Sequence, residues 1–251
     1  MKIAIVQHDI RENDPEGNLR HLASLMGNAP VGDMYVLSET FATGFLAQGE
    51  ADESLSPRIL DWMREQARNL DAAVLGSVAT MDEEGNPRNR QFFVRPDGTL
   101  DYYDKRHLFG HSGEADRYVP GERRVIVEWR GVRFQLQTCY DLRFPAFFRN
   151  RGEYDVLVNV AAWPALRRDV WQLLLKARAV ENQCFVVGVN RVGADRFGDY
   201  TGDSVIIDAF GNTVASCTPG REEVSMADID MDGLRLFRSK FPVLDDADAT
   251  G

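Results

Sequence analysis

Short apolar segments recur along the chain, and they are separated in turn by helical patterns and by tight turns. Between two of them, 3–6 and 34–37, apolar residues repeat at the spacing of a helix that buries one face. The turns 95–98 and 129–131 instead join neighbouring apolar segments directly, as in β-hairpins. Helical crossovers link parallel strands, whereas hairpins link antiparallel strands. The chain is therefore predicted to be an α/β protein with mixed sheets covered by helices.

The same patterns assign most of the sequence to strands or helices. Strands are predicted at 3–6, 34–37, 72–78, 91–94, 99–103, 125–128, 132–136, 156–160, 185–189, 204–207, 214–216 and 224–229. Helices are predicted from a cap at Asp14 onward, over 59–70 and 169–182, and near 234–237. A three-layer α/β sandwich and two sheets packed face to face are equally compatible with this order of elements. We expect a single domain over 1–251, with its core at about 1–241 and a loose acidic tail at 242–251.

The composition argues against several classes of partner. The 29 lysines and arginines are outnumbered by 39 aspartates and glutamates, which gives a formal charge of -10. We therefore expect neither nucleic acid nor an anionic membrane as a partner. No stretch approaches the roughly 18 apolar residues of a spanning helix, and the first residues do not resemble a signal peptide. The three cysteines are far apart and odd in number, so we expect reduced thiols and a cytoplasmic protein.

One cysteine lies between a predicted strand and a predicted helix start. Cys139 follows the apolar segment 132–136, and Pro145 suits the first turn of a helix behind it. A thiol in this position is predicted to be held in the open, where a helix N-terminus favours its thiolate form. A cysteine at a strand end is nevertheless more often a small buried core residue. The position of Cys139 alone is therefore weak evidence for chemistry.

Two other predicted strand ends carry charged groups that such a thiol needs. Glu39 comes just after the segment 34–37, and Lys105 follows the segment 99–103. Each of these charges, taken singly, reads as a solvated loop residue. Taken together with Cys139, they supply a nucleophile, a carboxylate base and an ammonium. This set suffices for acyl transfer without histidine, and the four histidines of the chain lack the spacing of a metal site.

Three segments, in chain order, resemble the signature segments of the nitrilase superfamily of carbon-nitrogen hydrolases. They are Ser38–Phe41, Tyr103–Phe109 and Thr138–Pro145, and the resemblance extends from Lys2 to about Phe241 with further support at 176–183, 190–193 and 202–204. Three stretches are similar to the ω-amidase branch in particular: Ser38–Phe41, the end of Tyr103–Phe109, and Ala161–Pro164. The resemblance implies a four-layer αββα sandwich with two mixed sheets packed face to face. It also implies a homodimer.

Roles follow from the resemblance for the residues of these segments. Cys139 corresponds to the nucleophile, Glu39 to the general base and Lys105 to the ammonium that supports the tetrahedral intermediate. A second glutamate often joins them, and Glu114 is the best match for it. The loop that carries it varies in length among members, so Asp116 is an alternative. Neither a metal nor an organic cofactor is expected.

Further residues are expected around the reacting atoms. The backbone N–H of Tyr140 is placed to donate to a developing oxyanion together with Lys105. The predicted substrate-binding residues are Phe45, Trp163, Pro164 and Arg167. Arg167 is included because a 2-oxo acid needs a cation for its carboxylate, and arginine suits bidentate pairing. Asp141 and Arg143, by contrast, are expected to be fold-stabilising charges, and His107 is expected to stabilise the lysine loop.

The predicted activity is hydrolysis of the terminal amide of small 2-oxo dicarboxylic acid monoamides. 2-Oxoglutaramate and 2-oxosuccinamate are the expected substrates, with a thioester intermediate on Cys139 and release of ammonia. A carbamoylase, another aliphatic amidase or a nitrilase could use the same three residues. A metal-dependent hydrolase with similar layering and a non-catalytic binding or redox-sensing protein with a reactive thiol are alternatives from other classes.

Overall fold

Residues 1–45 and 53–246 are described in the computed structural model. Their strands and helices, in chain order, are β1 (Lys2–Gln7), α1 (Pro15–Gly27), β2 (Met34–Val36), α2 (Ser56–Leu70), β3 (Ala73–Met81), β4 (Pro87–Val94), β5 (Leu100–Asp104), α3 (Glu114–Arg117), β6 (Ile126–Trp129), β7 (Val132–Thr138), β8 (Val156–Ala161), α4 (Arg168–Glu181), β9 (Phe185–Asn190), β10 (Val192–Asp195), β11 (Gly198–Thr201), β12 (Val205–Ile207), β13 (Thr213–Ser216), β14 (Glu223–Asp228) and α5 (Met231–Lys240). Apart from the helix predicted behind Cys139, the predicted strands and helices are found within a few residues of these bounds, and Asp14 caps α1 by accepting from the Gly17 N–H. The hairpin of β10 and β11 was not predicted.

The larger strands form two sheets with six strands each. One sheet has the order β14-β1-β2-β3-β4-β5, and the other has the order β13-β12-β9-β8-β7-β6. In each sheet three central strands are parallel, β1-β2-β3 and β7-β8-β9, and the outer strands pair antiparallel with them. Helical crossovers connect the parallel strands, and hairpins such as β4-β5 and β6-β7 add the antiparallel ones. The prediction of mixed sheets is confirmed.

Three hydrophobic clusters separate four layers. The largest cluster joins inner faces of both sheets, for example Ile5 and Phe93 of one with Phe134 and Val158 of the other. A second cluster packs α1 and α2 on the outer face of the first sheet. A third packs α4 on the outer face of the second sheet through Trp171 and its neighbours. The fold is therefore the four-layer αββα sandwich, and the three-layer alternative is wrong.

Along the strands, the inner faces change from apolar to polar at one end of the sandwich. Residues two apart in a strand share a face, so each strand can be followed outward from the core. The sequences along the inner faces are Ile3-Ile5-Gln7 in β1, Met34-Val36-Ser38 at β2, Ala73-Leu75-Ser77 in β3 and Phe134-Leu136-Thr138 in β7, and all of these side chains are buried. The polar layer lies at the carboxyl ends of the parallel strands. Side chains that follow these strands enter the molecule at this layer.

Two parts of the chain lie outside this regular plan. β10 and β11 form a separate two-stranded hairpin beside the sandwich. In the predicted tail 242–251, Val243–Asp246 forms a 3₁₀ turn, and residues 247–251 lie outside the described structure. Among residues 1–45 and 53–246, none of the helices combines the length and the apolar character needed to cross a membrane.

Candidate active site

Three strand ends bring the predicted catalytic side chains to the polar layer. Glu39 follows β2, Lys105 follows β5 and Cys139 follows β7. Thr40 and Cys139 have φ angles of 44° and 48°, in the left-handed region that non-glycine residues rarely adopt. Strained backbone of this kind persists only where the surrounding structure enforces it, and it is concentrated at functional sites. The chain thus turns sharply beside both the carboxylate and the thiol.

Lys105 lies between two carboxylates in the interior of the protein. Its Nζ donates to Glu39 Oε1 at 2.8 Å and to both oxygens of Glu114 at 2.8 and 2.7 Å. Lys105, Glu39 and Glu114 are 1%, 0% and 3% exposed. Asp116 is exposed, so Glu114 and not Asp116 belongs to this cluster. The cluster brings one amino group and two carboxyl groups together where solvent screens charges little.

Glu39 also connects the two sheets. Its second oxygen accepts from the backbone N–H of Ala162 at 3.0 Å, just beyond β8, and its own N–H donates to the Ala161 carbonyl at 3.4 Å. Cys139 Sγ donates to the Ala162 carbonyl at 3.9 Å, and the nearby Glu39 charge raises the pKa of the thiol. Glu39 therefore bonds to the ammonium and acts electrostatically on the thiol, which suits a base for the thiol proton.

A residue that sequence reasoning missed completes the cluster. The Asn89 side chain, 1% exposed on β4, donates through Nδ2 to Glu39 Oε1 at 2.8 Å and to Glu114 Oε1 at 2.9 Å. The available signal was a polar residue on the face of β4 that also carries Gln91 and Phe93. A polar residue near the end of a strand is common in any sheet, so this signal did not single out Asn89.

Burial and charge determine the protonation of these groups. Burial raises the pKa of the Cys139 thiol, the Glu39 charge raises it further, and Lys105 opposes both. Burial likewise raises the pKa of Glu39, against the opposing effect of Lys105. Burial alone lowers the pKa of Lys105, but its two carboxylate partners outweigh burial and hold that pKa well above the usual value. Lys105 is therefore an ammonium and Cys139 a neutral thiol at neutral pH.

The predictions of an open thiol and of a thiolate stabilised by a helix are therefore wrong. Cys139 is 8% exposed, and it begins a 3₁₀ helix, Cys139–Arg143, rather than preceding an α-helix. Pro145 begins a second short 3₁₀ helix. A short helix contributes little dipole, and the adjacent Glu39 carboxylate acts in the opposite direction. These effects depend on tertiary packing, which the local pattern around Cys139 does not report.

Asp141 ties the end of β7 to the lysine loop. It is fully buried and accepts from the backbone N–H groups of Thr138 and His107 at 3.0 and 2.9 Å. It also accepts from the Tyr103 hydroxyl at 2.7 Å and lies 2.8 Å from His107 Nδ1. These bonds agree with the predicted structural roles of Asp141 and His107, because they hold the segments of Cys139 and Lys105 together.

The reactive groups open into a cavity of about 210 Å³. Its lining includes Lys105, Cys139 and Tyr140, together with the predicted substrate-binding residues Phe45, Trp163, Pro164 and Arg167. Further lining residues, which were not predicted as part of the site, are Phe109, His111, Ser112, Arg143, Ala162, Phe197 and Tyr200. Phe197 and Tyr200 come from the hairpin of β10 and β11.

Two guanidinium groups in the cavity wall have no carboxylate partner within the described residues. Arg143 lies over the Trp163 ring at 5.1 Å, and Arg167 lies over the Phe109 ring at 5.2 Å. Both are partly exposed. The expectation that Arg143 only stabilises the fold does not account for its place in the wall. A cavity with two such cations and an apolar aromatic lining suits a small organic anion.

The sequence model of the carbon-nitrogen hydrolase family matches residues 2–239. The chain belongs to the carbon-nitrogen hydrolase family. This carbon-nitrogen hydrolase is 42% identical over 249 residues to the omega-amidase YafV of Yersinia enterocolitica, covering 99% of this chain and 97% of the relative. It is 31% identical to the 2-oxoglutaramate amidase of Bacillus subtilis, covering 97% and 96% of the two chains. The resemblance to the nitrilase superfamily is confirmed.

Solved structures share the whole architecture of this carbon-nitrogen hydrolase. A CN-hydrolase superfamily protein from Xanthomonas campestris, with an arsenic adduct in its active site, superposes with a TM-score of 0.93 at 40% identity, covering 100% of this chain and 98% of that chain. The protein is therefore a hydrolase of non-peptide carbon–nitrogen bonds. Within residues 1–45 and 53–246, no group of three His, Cys, Asp or Glu side chains is arranged to hold a metal ion.

Proposed function

We propose that this hydrolase is a cysteine-dependent amidase for small 2-oxo dicarboxylic acid monoamides such as 2-oxoglutaramate and 2-oxosuccinamate. One observation carries the proposal: the cluster of Cys139, Glu39 and Lys105 opens into a cavity whose wall holds Arg143 and Arg167, two cations without a carboxylate partner among the described residues. The cluster suits attack on an amide, and the cations suit the free carboxylate at the other end of the substrate. The names of the relatives, omega-amidase and 2-oxoglutaramate amidase, support the same substrate class.

In the first half of the reaction, Cys139 Sγ attacks the amide carbon while Glu39 takes the thiol proton. Because the thiol is neutral at rest, proton transfer accompanies the attack and does not precede it. The oxyanion that forms accepts from Lys105 and from the Tyr140 N–H, and one donor of this kind is worth about 3 kcal/mol of barrier. The C–N bond then breaks, Glu39 returns the proton to the leaving nitrogen, and ammonia departs from a Cys139 thioester.

In the second half, water attacks the thioester. Glu39 takes a proton from the water, and the same two donors hold the second oxyanion. The C–S bond breaks, the sulfur regains its proton and the dicarboxylic acid leaves. Lys105 remains an ammonium throughout, since its two carboxylate partners hold its pKa well above the usual value.

The carboxylate of the substrate is the natural partner of the wall cations. Arg167 follows the Trp163 and Pro164 loop, and Arg143 follows Cys139 by four residues. Each guanidinium rests on an aromatic ring that limits its movement, which reduces the entropy lost when it binds an anion. A neutral amide of similar length lacks this interaction, so the two arginines select for an acidic substrate.

Ammonia release across a panel of substrates tests the proposal. The panel contains 2-oxoglutaramate, 2-oxosuccinamate, glutamine, asparagine, N-carbamoyl amino acids, a simple nitrile and a neutral short amide. The 2-oxo acid amides should give the highest kcat/KM. A preference for N-carbamoyl amino acids would make the protein a carbamoylase, which is the second candidate.

Arginine variants locate the carboxylate. Arg167→Ala or Arg143→Ala should weaken processing of 2-oxoglutaramate by about 2–5 kcal/mol in kcat/KM and leave the neutral short amide nearly unaffected. Arg149→Ala is the matched control, because Arg149 is outside the cavity and pairs with Glu181 at 3.7 Å. An equal loss on both substrates, or no loss on either, would remove that arginine from the carboxylate site.

A homodimer is proposed from one exposed face of α4. Leu173 and Val180 are 67% and 52% exposed and lie seven residues apart on the same face of α4, and Leu166, in the 3₁₀ turn just before α4, is 91% exposed. Light scattering should give twice the chain mass for the wild type, and Leu173→Glu should reduce that mass to a monomer. A wild-type monomer at micromolar concentration would contradict the proposal.

The proposed compartment is a reducing one such as the cytoplasm. The three cysteines of the chain are free thiols, and the nucleophile works only in its reduced form. A fusion reporter or cell fractionation tests this location. Recovery of the active protein from an oxidising compartment would contradict it.

A further inference from the structure

The side-chain amide of Asn89 donates both of its hydrogens to the two carboxylates beside Lys105. Its amide group has two hydrogens, and one points to Glu39 Oε1 and the other to Glu114 Oε1. The reverse orientation would place the amide oxygen less than 3 Å from both carboxylate oxygens, where the like partial charges repel. The carboxylates therefore fix the orientation of the Asn89 amide.

The Asn89 Oδ1 atom is buried and has no hydrogen-bond partner within the described residues. An unpaired buried acceptor is unfavourable by about 1–3 kcal/mol. For the stability of the fold alone, a side chain without an unpaired acceptor would therefore be more favourable than asparagine at position 89. A reason for keeping the amide here must lie in the groups to which Nδ2 donates.

Those groups present an electrostatic problem that Lys105 alone does not solve. Two buried carboxylates share one ammonium, so one negative charge is in excess, and like charges this close resist joint ionisation. Hydrogen bonds donated to a carboxylate favour its charged form. Asn89 supplies such a bond to each carboxylate without adding a charge, and its backbone carbonyl accepts from the Lys105 N–H at 2.9 Å.

We propose that Asn89 is a positioning residue that holds Glu39 and Glu114 side by side on Lys105 and keeps both carboxylates ionised. Glu39 must be ionised to take the proton of Cys139, so Asn89 acts on the reaction through Glu39. The ionisable groups that bear on Glu39 are Lys105 after β5, Glu114 on α3 and Cys139 after β7. The cavity that adjoins them also contains His111, Arg143, Arg167 and Tyr200.

The pH dependence has a definite sign. Loss of the Asn89 donors raises the pKa at which the Glu39 cluster gains a proton. Activity that requires the ionised base then disappears at a higher pH, so the acidic limb of the profile shifts upward. For Asn89→Ala we expect a shift of about one pH unit and a fall of at least about tenfold in kcat near neutral pH, with KM changed much less.

The experiment measures alkylation of Cys139 by iodoacetamide as a function of pH, alongside turnover of 2-oxoglutaramate. The inference rests on the proposed function only through the turnover assay, because alkylation reports the base and the thiol without any assumption about the substrate. Cys184→Ala and Cys217→Ala are included in every variant so that modification reports Cys139 alone. Asn159→Ala is the matched control. Asn159 is also a fully buried strand asparagine with an unpaired Oδ1, but its Nδ2 donates to Gln137 at 3.3 Å.

Asn89→Ala should shift the acidic limb of the alkylation rate upward, and Asn159→Ala should leave it at the wild-type pH. If the alkylation rates of the wild type and a folded Asn89→Ala protein fell at the same acidic pH, the inference would be overturned. If Asn89→Ala does not fold, the isosteric Asn89→Asp provides the test, since it offers at most one hydrogen and adds a like charge, and the limb should rise further. Wild-type protein that is alkylated normally but does not release ammonia from 2-oxoglutaramate would contradict the substrate proposal alone.

A double-mutant cycle separates positioning from a general structural effect. If Asn89 acts by allowing two carboxylates to share Lys105, it matters less once Glu114 is neutral. The loss of kcat caused by Asn89→Ala should therefore be several-fold smaller in a Glu114→Gln background than in the wild type. Equal losses in the two backgrounds would show that Asn89 acts independently of the carboxylate pair.

Discussion

The Cys139 thiol holds its proton at rest, although the proposed base Glu39 belongs to the same buried cluster. Burial and the Glu39 charge both raise the pKa of Cys139. A cysteine with a depressed pKa is a thiolate before the substrate arrives and reacts with many electrophiles. In the proposed reaction, Cys139 instead becomes nucleophilic only as Glu39 takes the proton during attack. Such a mechanism would favour substrates whose carbonyl oxygen reaches Lys105 and the Tyr140 N–H.

Replacement of the nucleophile gives the first prediction. Cys139→Ala should abolish amide hydrolysis, by at least about four orders of magnitude in kcat, because no other thiol can form the thioester. Cys217→Ala is the control, since Cys217 is a buried thiol that contacts backbone carbonyls far from the cavity. Ammonia release under saturating substrate measures both variants. Turnover in Cys139→Ala comparable to that of the wild type would disprove the assignment.

Neutralising Glu114 should affect the rate and the pH profile in different ways. Glu114→Gln weakens the pair that holds Lys105, so kcat should fall about tenfold or more. The Glu114 charge also raises the pKa of Glu39, so its removal should shift the acidic limb to lower pH. A profile of kcat/KM from pH 4 to 9 measures both effects. A wild-type rate with an unchanged profile would leave Glu114 as a structural charge, and Asp116→Asn is the control.

Sequence reasoning found the residues whose chemistry is visible in the local pattern. Glu39, Lys105 and Cys139 each follow an apolar strand, and parallel strand ends meet at one edge of a sheet. The burial of Cys139 could not be predicted, because the groups that cover it come from other strands and loops. Asn89 could not be predicted either, since its role depends on the two carboxylates that the segment after β2 and α3 bring to it.

At the scale of elements, the hairpin of β10 and β11 acts as one wall of the cavity. Arg196 Nη2 donates to the Phe45 carbonyl at 2.9 Å, and the Phe45 and Phe197 rings meet edge to face at 6.3 Å. Inside the hairpin, the Tyr200 hydroxyl donates to Asp195, which also pairs with the buried Arg191 at 3.1 Å. The hairpin was not predicted because its strands have four residues each, and each contains a glycine and an aspartate, which is unlike an apolar strand.

Truncating Phe197 in the β10-β11 hairpin should weaken substrate binding more than it slows the chemical step. Phe197→Ala removes an aromatic side chain that covers the cavity beside Phe45, so KM for 2-oxoglutaramate should rise about threefold to tenfold with kcat nearly unchanged. Phe210→Ala is the control, because Phe210 is an exposed phenylalanine in a turn outside the cavity. Initial rates over a range of substrate concentrations separate the two constants. A change confined to kcat would place Phe197 closer to the reacting atoms than this account allows.

At the scale of the whole molecule, the helical and hairpin patterns of the sequence predicted mixed sheets. They did not predict that two such sheets pack face to face. The central strands are apolar on both faces, and such strands need cover on each side. Helices on both sides would satisfy that requirement, and so would one helical layer and a second sheet. The choice depends on which apolar faces fit one another, as Phe93 of one sheet fits Phe134 of the other. Local periodicity carries no information about that fit.

A buried histidine links the stability of the sandwich to pH. His8, just after β1, is fully buried, and its Nε2 bonds to the Phe41 carbonyl at 3.0 Å while Nδ1 has no partner within the described residues. Burial lowers the pKa of His8 to about 4. Between about pH 6.5 and pH 4, His8 is therefore protonated in the unfolded chain and neutral in the folded protein. Stability from this group is complete above pH 6.5 and is lost as the pH falls toward 4.

The corresponding prediction concerns the free energy of unfolding. Between pH 7 and pH 4, that free energy should fall by about 3 kcal/mol more in the wild type than in His8→Gln, which keeps a donor but cannot be protonated. Urea unfolding at several pH values measures the difference. His21→Gln is the control, since His21 is a partly exposed histidine paired with Glu222. Parallel pH curves for wild type and His8→Gln would contradict the prediction.

The separation between strand ends and loops has a practical consequence for engineering. The proposed reacting groups Glu39, Lys105 and Cys139 stand at the ends of strands, whereas Phe45, Trp163 and Phe197 belong to connecting segments. A mutant library confined to those connecting segments would therefore sample new leaving groups and acyl chains while the hydrolytic machinery stays intact. Selection for growth on an unfamiliar amide as nitrogen source could begin from this scaffold without rebuilding its interior.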